Sequence, residues 1–204
     1  MPTVEAVRPL ADLPATRPSR QEAEAAVRTL IGWIGEQPHR EGLRDTPARV
    51  VRACEEWFHG YAIDPLVALG RTFDGAGYDD LVLLRDIPVR SVCEHHLAPI
   101  RGVAHIAYLP GARVVGISKL ARVVDALAAR LQIQERLTRE IADTIEQGLR
   151  PRGVAVVLQA GHACLSSRGV RMHGVSMFTR CLLGDFAHDP WRGEVLDALS
   201  ATAP

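Results

Sequence analysis

Two amphipathic helical patterns follow one another between residues 118 and 149, with strand-like segments on both sides. The first begins at Ser118, and the second covers about Gln134–Leu149 with an apolar residue at every fourth position. The branched apolar run Gly153–Ala160 comes next and predicts a buried strand. Because a helix with one apolar face needs a surface to cover it, this order predicts an α+β fold. We expect the helices to pack on one face of a largely antiparallel sheet.

Further strands are predicted around the helical pair. Branched apolar residues are concentrated in the segments Leu81–Leu84, Pro88–Cys93 and Val170–Leu183. The segments Val103–Leu109 and Arg113–Ile117 flank Pro110-Gly111, which predicts a hairpin between them.

Four regions are predicted along the chain. Residues 1–18 contain four prolines without a sustained period and read as a mobile N-terminal arm. Residues 19–60 form an N-terminal helical region, and residues 61–187 form the main α+β domain. Residues 188–204 form a polar C-terminal tail with a short helix.

The N-terminal helical region contains two helix starts. Ser19 and Glu22 have the spacing of a capping box, and Thr46 followed by Pro47 predicts a second start. Apolar stripes that we expect to be buried consist of Val27, Leu30, Ile31 and Ile34 in the first helix, and Val50, Cys54, Trp57 and Phe58 in the second.

Charge and cysteine content exclude several classes of protein. Lys+Arg and Asp+Glu both number 24, and this balance argues against a nucleic-acid binder. No apolar run approaches the roughly 20 residues of a membrane-spanning helix, and the N-terminus lacks the basic and apolar blocks of a signal peptide. We therefore expect a cytoplasmic protein without a membrane partner, whose four cysteines are thiols or metal ligands.

A candidate metal site directly follows a predicted strand. Cys93 and His96 can close on one ion, and Cys164, at the end of another predicted strand, supplies a third ligand. Two thiolates and an imidazole suit Zn²⁺, and three protein ligands leave a position for water. His95 points away from His96 in extended chain, and His162 is a second free imidazole for proton transfer. The alternatives are buried thiols, a Cys93–Cys164 disulfide and core histidines.

Cations gather at two predicted helix starts. Lys119 and Arg122 share one helical face, and Arg49 and Arg52 repeat this spacing. Cations oppose the helix dipole there unless an anion binds, which predicts a phosphate site to which Arg168 contributes. The alternative for each residue is ordinary surface charge.

The dipeptide Gln134-Glu135 stands between the two helical patterns. A carboxylate accepts two parallel N–H bonds, and guanine offers such a pair at N1 and the 2-amino group, whereas adenine does not. The alternative is an ordinary helix start.

Six motifs in order make the chain resemble GTP cyclohydrolase I, the zinc-dependent form. They lie within Arg40–Arg49, Ser91–Leu97, Ala107–Pro110, Gly116–Asp125, Gln134–Thr138 and Ala160–Val170. The resemblance covers about Ser19–Phe186 and implies the tunnelling fold, assembled as a toroidal homodecamer with active sites between subunits.

The resemblance also implies the reaction and the residues that carry it. Zinc-activated water would attack C8 of the guanine of GTP, giving 7,8-dihydroneopterin triphosphate and formate, the first step of tetrahydrofolate and pterin synthesis. The implied roles are zinc binding by Cys93, His96 and Cys164, acid/base catalysis by His95 and His162, guanine binding by Gln134 and Glu135, ribose binding by Ser118, and triphosphate binding by Lys119, Arg122, Arg168, Arg49 and Arg52.

The chain departs from the family pattern at Ile100, at Ser167 and over residues 171–181. These departures leave two other hypotheses. One is a tunnelling-fold relative with another substrate, such as the nitrile reductase of queuosine synthesis, whose cysteine needs no metal. The other is a catalytically silent nucleotide-binding paralogue.

Overall fold

Five strands form the main sheet, in the order β5–β2–β3–β6–β7, and two short strands, β1 and β4, pair separately. The computed structural model describes residues 17–200. The strands are β1 (Thr72–Asp74), β2 (Val82–Cys93), β3 (Pro99–Leu109), β4 (Arg113–Val115), β5 (Leu131–Gln132), β6 (Gly153–His162) and β7 (Met177–Gly184). The helices are α1 (Arg20–Trp33), α2 (Thr46–Trp57), α3 (Pro65–Leu69), α4 (Ile117–Ala128), α5 (Gln134–Leu149), α6 (Ala163–Ser166) and α7 (Trp191–Ser200).

Helices α4 and α5 cover one face of the main sheet, whose pairings are antiparallel except for β2 with β5. The side chains that they bury are Leu120, Val123, Leu127, Leu137, Ile141 and Ile145. The predicted α+β class and the predicted bounds of the second helical pattern are therefore confirmed. On the opposite face, Val195 and Leu199 of α7 pack beside Phe186, so the predicted tail contributes to a second, smaller core.

Three predicted strand arrangements are wrong, one of them because the strand predicted over Val170–Leu183 begins only at Met177. The segment after Pro110 does not return along β3, because β4 pairs with β1, where the Arg113 guanidinium donates to the Thr72 carbonyl at 2.7 Å. Leu81–Leu84 and Pro88–Cys93 belong to one strand, β2, which is interrupted by a bulge. Asp86 lies in that bulge with φ +57°, and an extra unpaired residue of this kind breaks the apolar alternation.

The N-terminal helices pack on each other and leave an apolar side open. Ser19 and Glu22 form the predicted capping box of α1. The second helix begins at the predicted Thr46-Pro47, but Thr46 is its first helical residue rather than its N-cap, and Asp45 at the N-cap makes no side-chain capping bond. The predicted burial of both stripes is also wrong in part. Leu30 and Trp57 are 60% and 55% exposed, because no other described part of the chain covers this side.

The link between α2 and the main domain is a close approach at a 3₁₀ turn, His59–Ala62. A Cβ on Gly60 would lie 2.2 Å from the Ala126 carbonyl oxygen, so only glycine fits there. His59 bonds Asp125 of α4 at 2.9 Å. Of the predicted N-terminal arm, residues 1–16 lie outside the described residues. None of the helices in residues 17–200 has the length and apolarity needed to cross a membrane.

Strand β3 runs the length of the main sheet, and its two ends support different parts of the molecule. Ile100 pairs with His162 at one end. Near the other end, the Tyr108 hydroxyl accepts from the Val115 N–H at 3.4 Å, next to the start of α4. At about 3.4 Å per residue, Ile100 and Tyr108 lie about 27 Å apart.

Candidate metal centre

The side chains of Cys93, His96 and Cys164 converge at the first of these ends. Their ligand atoms all lie within 4.8 Å of one another, and His96 Nδ1 is 3.9 Å from Cys93 Sγ. Cys93 is buried at the end of β2, Cys164 is half-buried in α6, and His96 is exposed. All four cysteines are free thiols, so the alternative of a Cys93–Cys164 disulfide is wrong.

Backbone hydrogen bonds fix the turn that carries two of these ligands. The Leu97 N–H donates to the Cys93 carbonyl at 2.9 Å, and the Cys93 N–H donates to the Ala98 carbonyl at 2.8 Å. Leu97 has φ +51°, which closes the turn between β2 and β3. On the other side, the Glu94 N–H donates to the Gln132 carbonyl of β5 at 3.1 Å. The turn is therefore held between two neighbouring strands.

The third ligand reaches the cluster by a different route from the predicted one. Residues two apart in an extended chain face the same side, so a strand continuing through this segment would place His162 and Cys164 side by side. In the structure β6 ends at His162 and the short helix α6 begins at Ala163. This change from strand to helix, rather than the alternation of a strand, brings Cys164 beside Cys93.

The electrostatics of the cluster suit a bound cation. Burial raises the pKa of the Cys164 thiol, and contact with Cys93 raises it further. Two adjacent thiols resist ionising together, whereas a divalent cation stabilises both thiolates. Two sulfur ligands and one imidazole are also a donor set that zinc prefers. The residues present therefore fit a metal ion.

His162 lies beside the cluster in a fixed tautomer. Its Nε2–H donates to Gln134 Oε1 at 2.8 Å. The Gln134 amide nitrogen lies within hydrogen-bonding distance of three acceptors, which share its two N–H groups: the carbonyl oxygens of Leu158 and Met177, both at 3.0 Å, and Thr179 Oγ1 at 3.1 Å. These three acceptors leave only the amide oxygen to face the imidazole. A neutral His162 therefore carries its proton on Nε2 and presents an unprotonated Nδ1.

Other predicted residues flank the imidazole. Burial lowers the pKa of His162, and the charge of Glu135 opposes this shift. Glu135 is exposed in the first turn of α5. The His95 side chain is 63% exposed and meets the His96 ring edge-on, with centroids 6.3 Å apart. Gln134 is only 1% exposed, and its amide oxygen is directed at His162.

The predicted phosphate-binding residues are not all brought to this cluster. Arg168 follows α6 and lies close enough to lower the pKa of Cys164. Lys119 and Arg122 lie in the first half of α4, whose 12 residues span about 18 Å and end near β5. The start of α4 adjoins the distant end of β3, as does Ser118. Arg49 and Arg52 are exposed on α2, which packs against α1.

A buried polar cluster behind the Cys93–His96 turn was missed by the sequence analysis. It consists of Gln132, Arg136 and Glu140. One signal was available, since Glu140 interrupts the apolar stripe of α5 immediately before the buried Ile141.

Fold and site together define an α+β protein whose Cys/His group can hold a metal ion. The family model described as GTP cyclohydrolase I matches residues 23–200. The chain belongs to the GTP cyclohydrolase I family, which confirms the resemblance found in its motifs.

Named relatives match most of the chain. GTP cyclohydrolase 1 of Maricaulis maris is 59% identical over 175 residues, 85% of each chain. GTP cyclohydrolase 1 of Hyphomonas neptunium is 54% identical over 191 residues, 91% of this chain and 93% of the relative. Among solved structures, the archaeosine synthase QueF-Like in the apo form aligns with a TM-score of 0.43 and 20% identity, over 51% of this chain and 93% of that chain.

Proposed function

We propose that the protein catalyses the reaction of its family, the hydrolysis of GTP to 7,8-dihydroneopterin triphosphate and formate. This is the entry step to tetrahydrofolate and other pterins. The observation that carries the proposal is the convergence of Cys93, His96 and Cys164 beside an oriented His162. A cytoplasmic location agrees with four thiols that a reducing compartment keeps free.

Zn²⁺ is the metal that this donor set favours, held by Cys93, His96 and Cys164. When bound, it supplies a Lewis acid with a free position for water, whose pKa it lowers toward about 7.

His162 is the residue that we assign to proton transfer at the purine. Its Nε2–H stays bonded to Gln134, so only Nδ1 gains and loses a proton during the reaction. A proton delivered from Nδ1 to guanine N7 makes C8 electrophilic, and C8 is the carbon released as formate. His95 is exposed beside the same turn and is the second candidate for proton transfer.

Guanine recognition falls to the first turn of α5. The Glu135 carboxylate accepts from guanine N1–H and the 2-amino group in parallel. The helix has no side-chain N-cap, which leaves its first backbone N–H groups available for the O6 acceptor. We assign the Gln134 side chain to His162 rather than to guanine, because its hydrogen bonds are already made inside the protein.

Triphosphate binding requires a second copy of the chain. Ser118, Lys119 and Arg122 lie near the end of the sheet opposite the Cys/His cluster, so one chain cannot bring both groups to one nucleotide. Helices α1 and α2 expose an apolar side, including Trp33 at 81%, of the kind that subunit interfaces cover. We infer a homo-oligomer with sites between subunits, and the family resemblance implies a toroidal decamer in which Arg49, Arg52 and Arg168 also contribute.

The direct test is to supply Zn²⁺ and GTP to the purified protein and measure formate release and pterin fluorescence after oxidation. We expect about one zinc per chain, turnover of GTP and none of ATP. GTP binding without formate at full metal occupancy would identify a silent paralogue. Turnover that persists without metal would favour a relative with a different chemistry.

A mixing experiment tests the shared site. Lys119→Ala and Cys164→Ser should each be nearly inactive, because each removes one half of every site. When equal amounts are refolded together, about a quarter of the sites regain both native halves, and activity returns in proportion. The matched control mixes Cys164→Ser with His96→Ala, whose defects lie in the same half and should not complement. An inactive first mixture would place the complete site within one chain.

A further inference from the structure

The proposed reaction leaves unused the polar cluster buried behind the Cys93–His96 turn. Its members Gln132 and Glu140 are 2% and 4% exposed. The cluster reaches the turn through Glu94, which stands between the candidate metal ligands in sequence.

Gln132 is the centre of this cluster and uses both its backbone and its side chain. Its carbonyl accepts from the Glu94 N–H at 3.1 Å. Its amide nitrogen donates to Glu140 Oε2 at 2.8 Å and to the Leu127 carbonyl at 3.0 Å. Its amide oxygen accepts from Arg136 Nε at 3.2 Å. One residue thus contacts the turn, the end of α4 and the helix α5.

Arg136 connects the cluster to the Glu94 side chain in the Cys93–His96 turn. Its Nη2 donates to the Glu94 carboxylate and to the Leu131 carbonyl, the latter at 3.1 Å. Its Nε lies 3.8 Å from Glu140 Oε1. Hydrogen bonds to Gln132 and Leu131 therefore fix the orientation of the planar guanidinium, which also holds the Glu94 carboxylate. A lysine ammonium lacks this planar fork and does not reproduce the arrangement.

Stability alone does not account for a carboxylate in this place. Burial raises the pKa of Glu140, while hydrogen bonding to Gln132 and the charge of Arg136 oppose the rise. An apolar side chain of similar size serves folding at least as well as a buried ionic group in several measured systems. What an apolar residue would not do is fix the direction of Arg136.

The first turn of α5, which carries Arg136, also orients the His162 imidazole. Gln134, which holds His162, lies two residues before Arg136 in α5. A displacement of the first turn of α5 would therefore move the Cys93–His96 turn and His162 together.

We propose that Arg136 is a positioning residue, which Gln132 and Glu140 hold against Glu94 so that the turn presents Cys93 and His96 at metal-binding distance and in register with His162. The effect of this positioning role on turnover rests on the proposed function. Its effect on metal binding is independent of the proposed function.

The test is Arg136→Met, which removes the guanidinium fork but keeps most of the volume. Co²⁺ serves as the probe, because its visible absorption reports ligand geometry. We expect the dissociation constant for Co²⁺ to rise about 10- to 100-fold, with an altered spectrum, as for other residues that orient metal ligands. With GTP, kcat should fall more than KM rises. Arg136→Lys should restore the charge but only part of the affinity.

The matched control lies one helical turn away. Arg139 pairs with Asp143 at 2.7 Å on the exposed side of α5, so Arg139→Met should leave Co²⁺ binding unchanged. If Arg136→Met fails to fold, Glu94→Gln provides the test instead. It removes the same ion pair at a side chain that is 30% exposed, where a substitution disturbs the core less. Co²⁺ affinity within about twofold of wild type and an unchanged spectrum in the folded variants would overturn the proposal. Normal Co²⁺ binding by the wild type without GTP turnover would refute the proposed function while leaving this test intact.

Discussion

Cys164→Ser should lose the bound metal and nearly all GTP turnover. A neutral hydroxyl is a poor replacement for a thiolate ligand, and only Cys93 and His96 remain of the three converging side chains. We expect zinc content to fall from about one per chain to below a tenth after dialysis against a weak chelator. Turnover should fall at least about 1,000-fold, equivalent to roughly 4 kcal/mol of transition-state stabilisation. Metal analysis and formate release on the same sample measure both effects.

Cys181→Ser is the control for this substitution. Cys181 is a half-buried thiol of the same sheet, paired with Val156 and absent from the Cys/His group. Its replacement should leave zinc content and turnover close to wild type. Equal zinc content in Cys164→Ser and Cys181→Ser would show that Cys164 is not a ligand.

His162→Ala should keep the metal and still lose most of its activity. The imidazole lies beside the ligand group but is not a member of it. Removing a general acid or base slows turnover by about 10²- to 10⁴-fold. We therefore expect full zinc occupancy, a KM for GTP near that of wild type and a kcat reduced within this range. Separate measurements of kcat and KM distinguish this result from a binding defect.

His173→Ala is the corresponding control, because His173 is an exposed residue of the loop before β7. It should turn over GTP at the wild-type rate. If His162→Ala were equally active, proton transfer would have to be reassigned, with His95 the first residue to consider.

The sequence predicted those parts of the fold that depend on local spacing. Helix α5 has the predicted bounds because its apolar residues recur every fourth position, and all of them face the sheet. The pairing of β4 with β1 could not be predicted, since the turn at Pro110 suits a hairpin equally well. The bulge at Asp86 appeared as a break between two strands, because its residues interrupt the alternation of one.

For the site as well, features set by local spacing could be predicted, whereas features set by tertiary packing could not. Two candidate ligands lie three residues apart in one turn, so their convergence was readable from the sequence. The proximity of His162 and Gln134 depends on how α5 packs on β6 and β7. The contact of Arg136 with Glu94 depends on the pairing of β5 with β2. The distance of Lys119 from the cluster likewise depends on the direction of α4 across the sheet.

The placement of Lys119 and Cys93 toward opposite ends of the sheet has a consequence for the cell. If the site is shared between subunits as proposed, a newly synthesised polypeptide would fold and load its ion yet remain inert until it met others of its kind. Output would then rise more steeply than in proportion to the amount of protein made, so modest changes in expression would have amplified effects on flux.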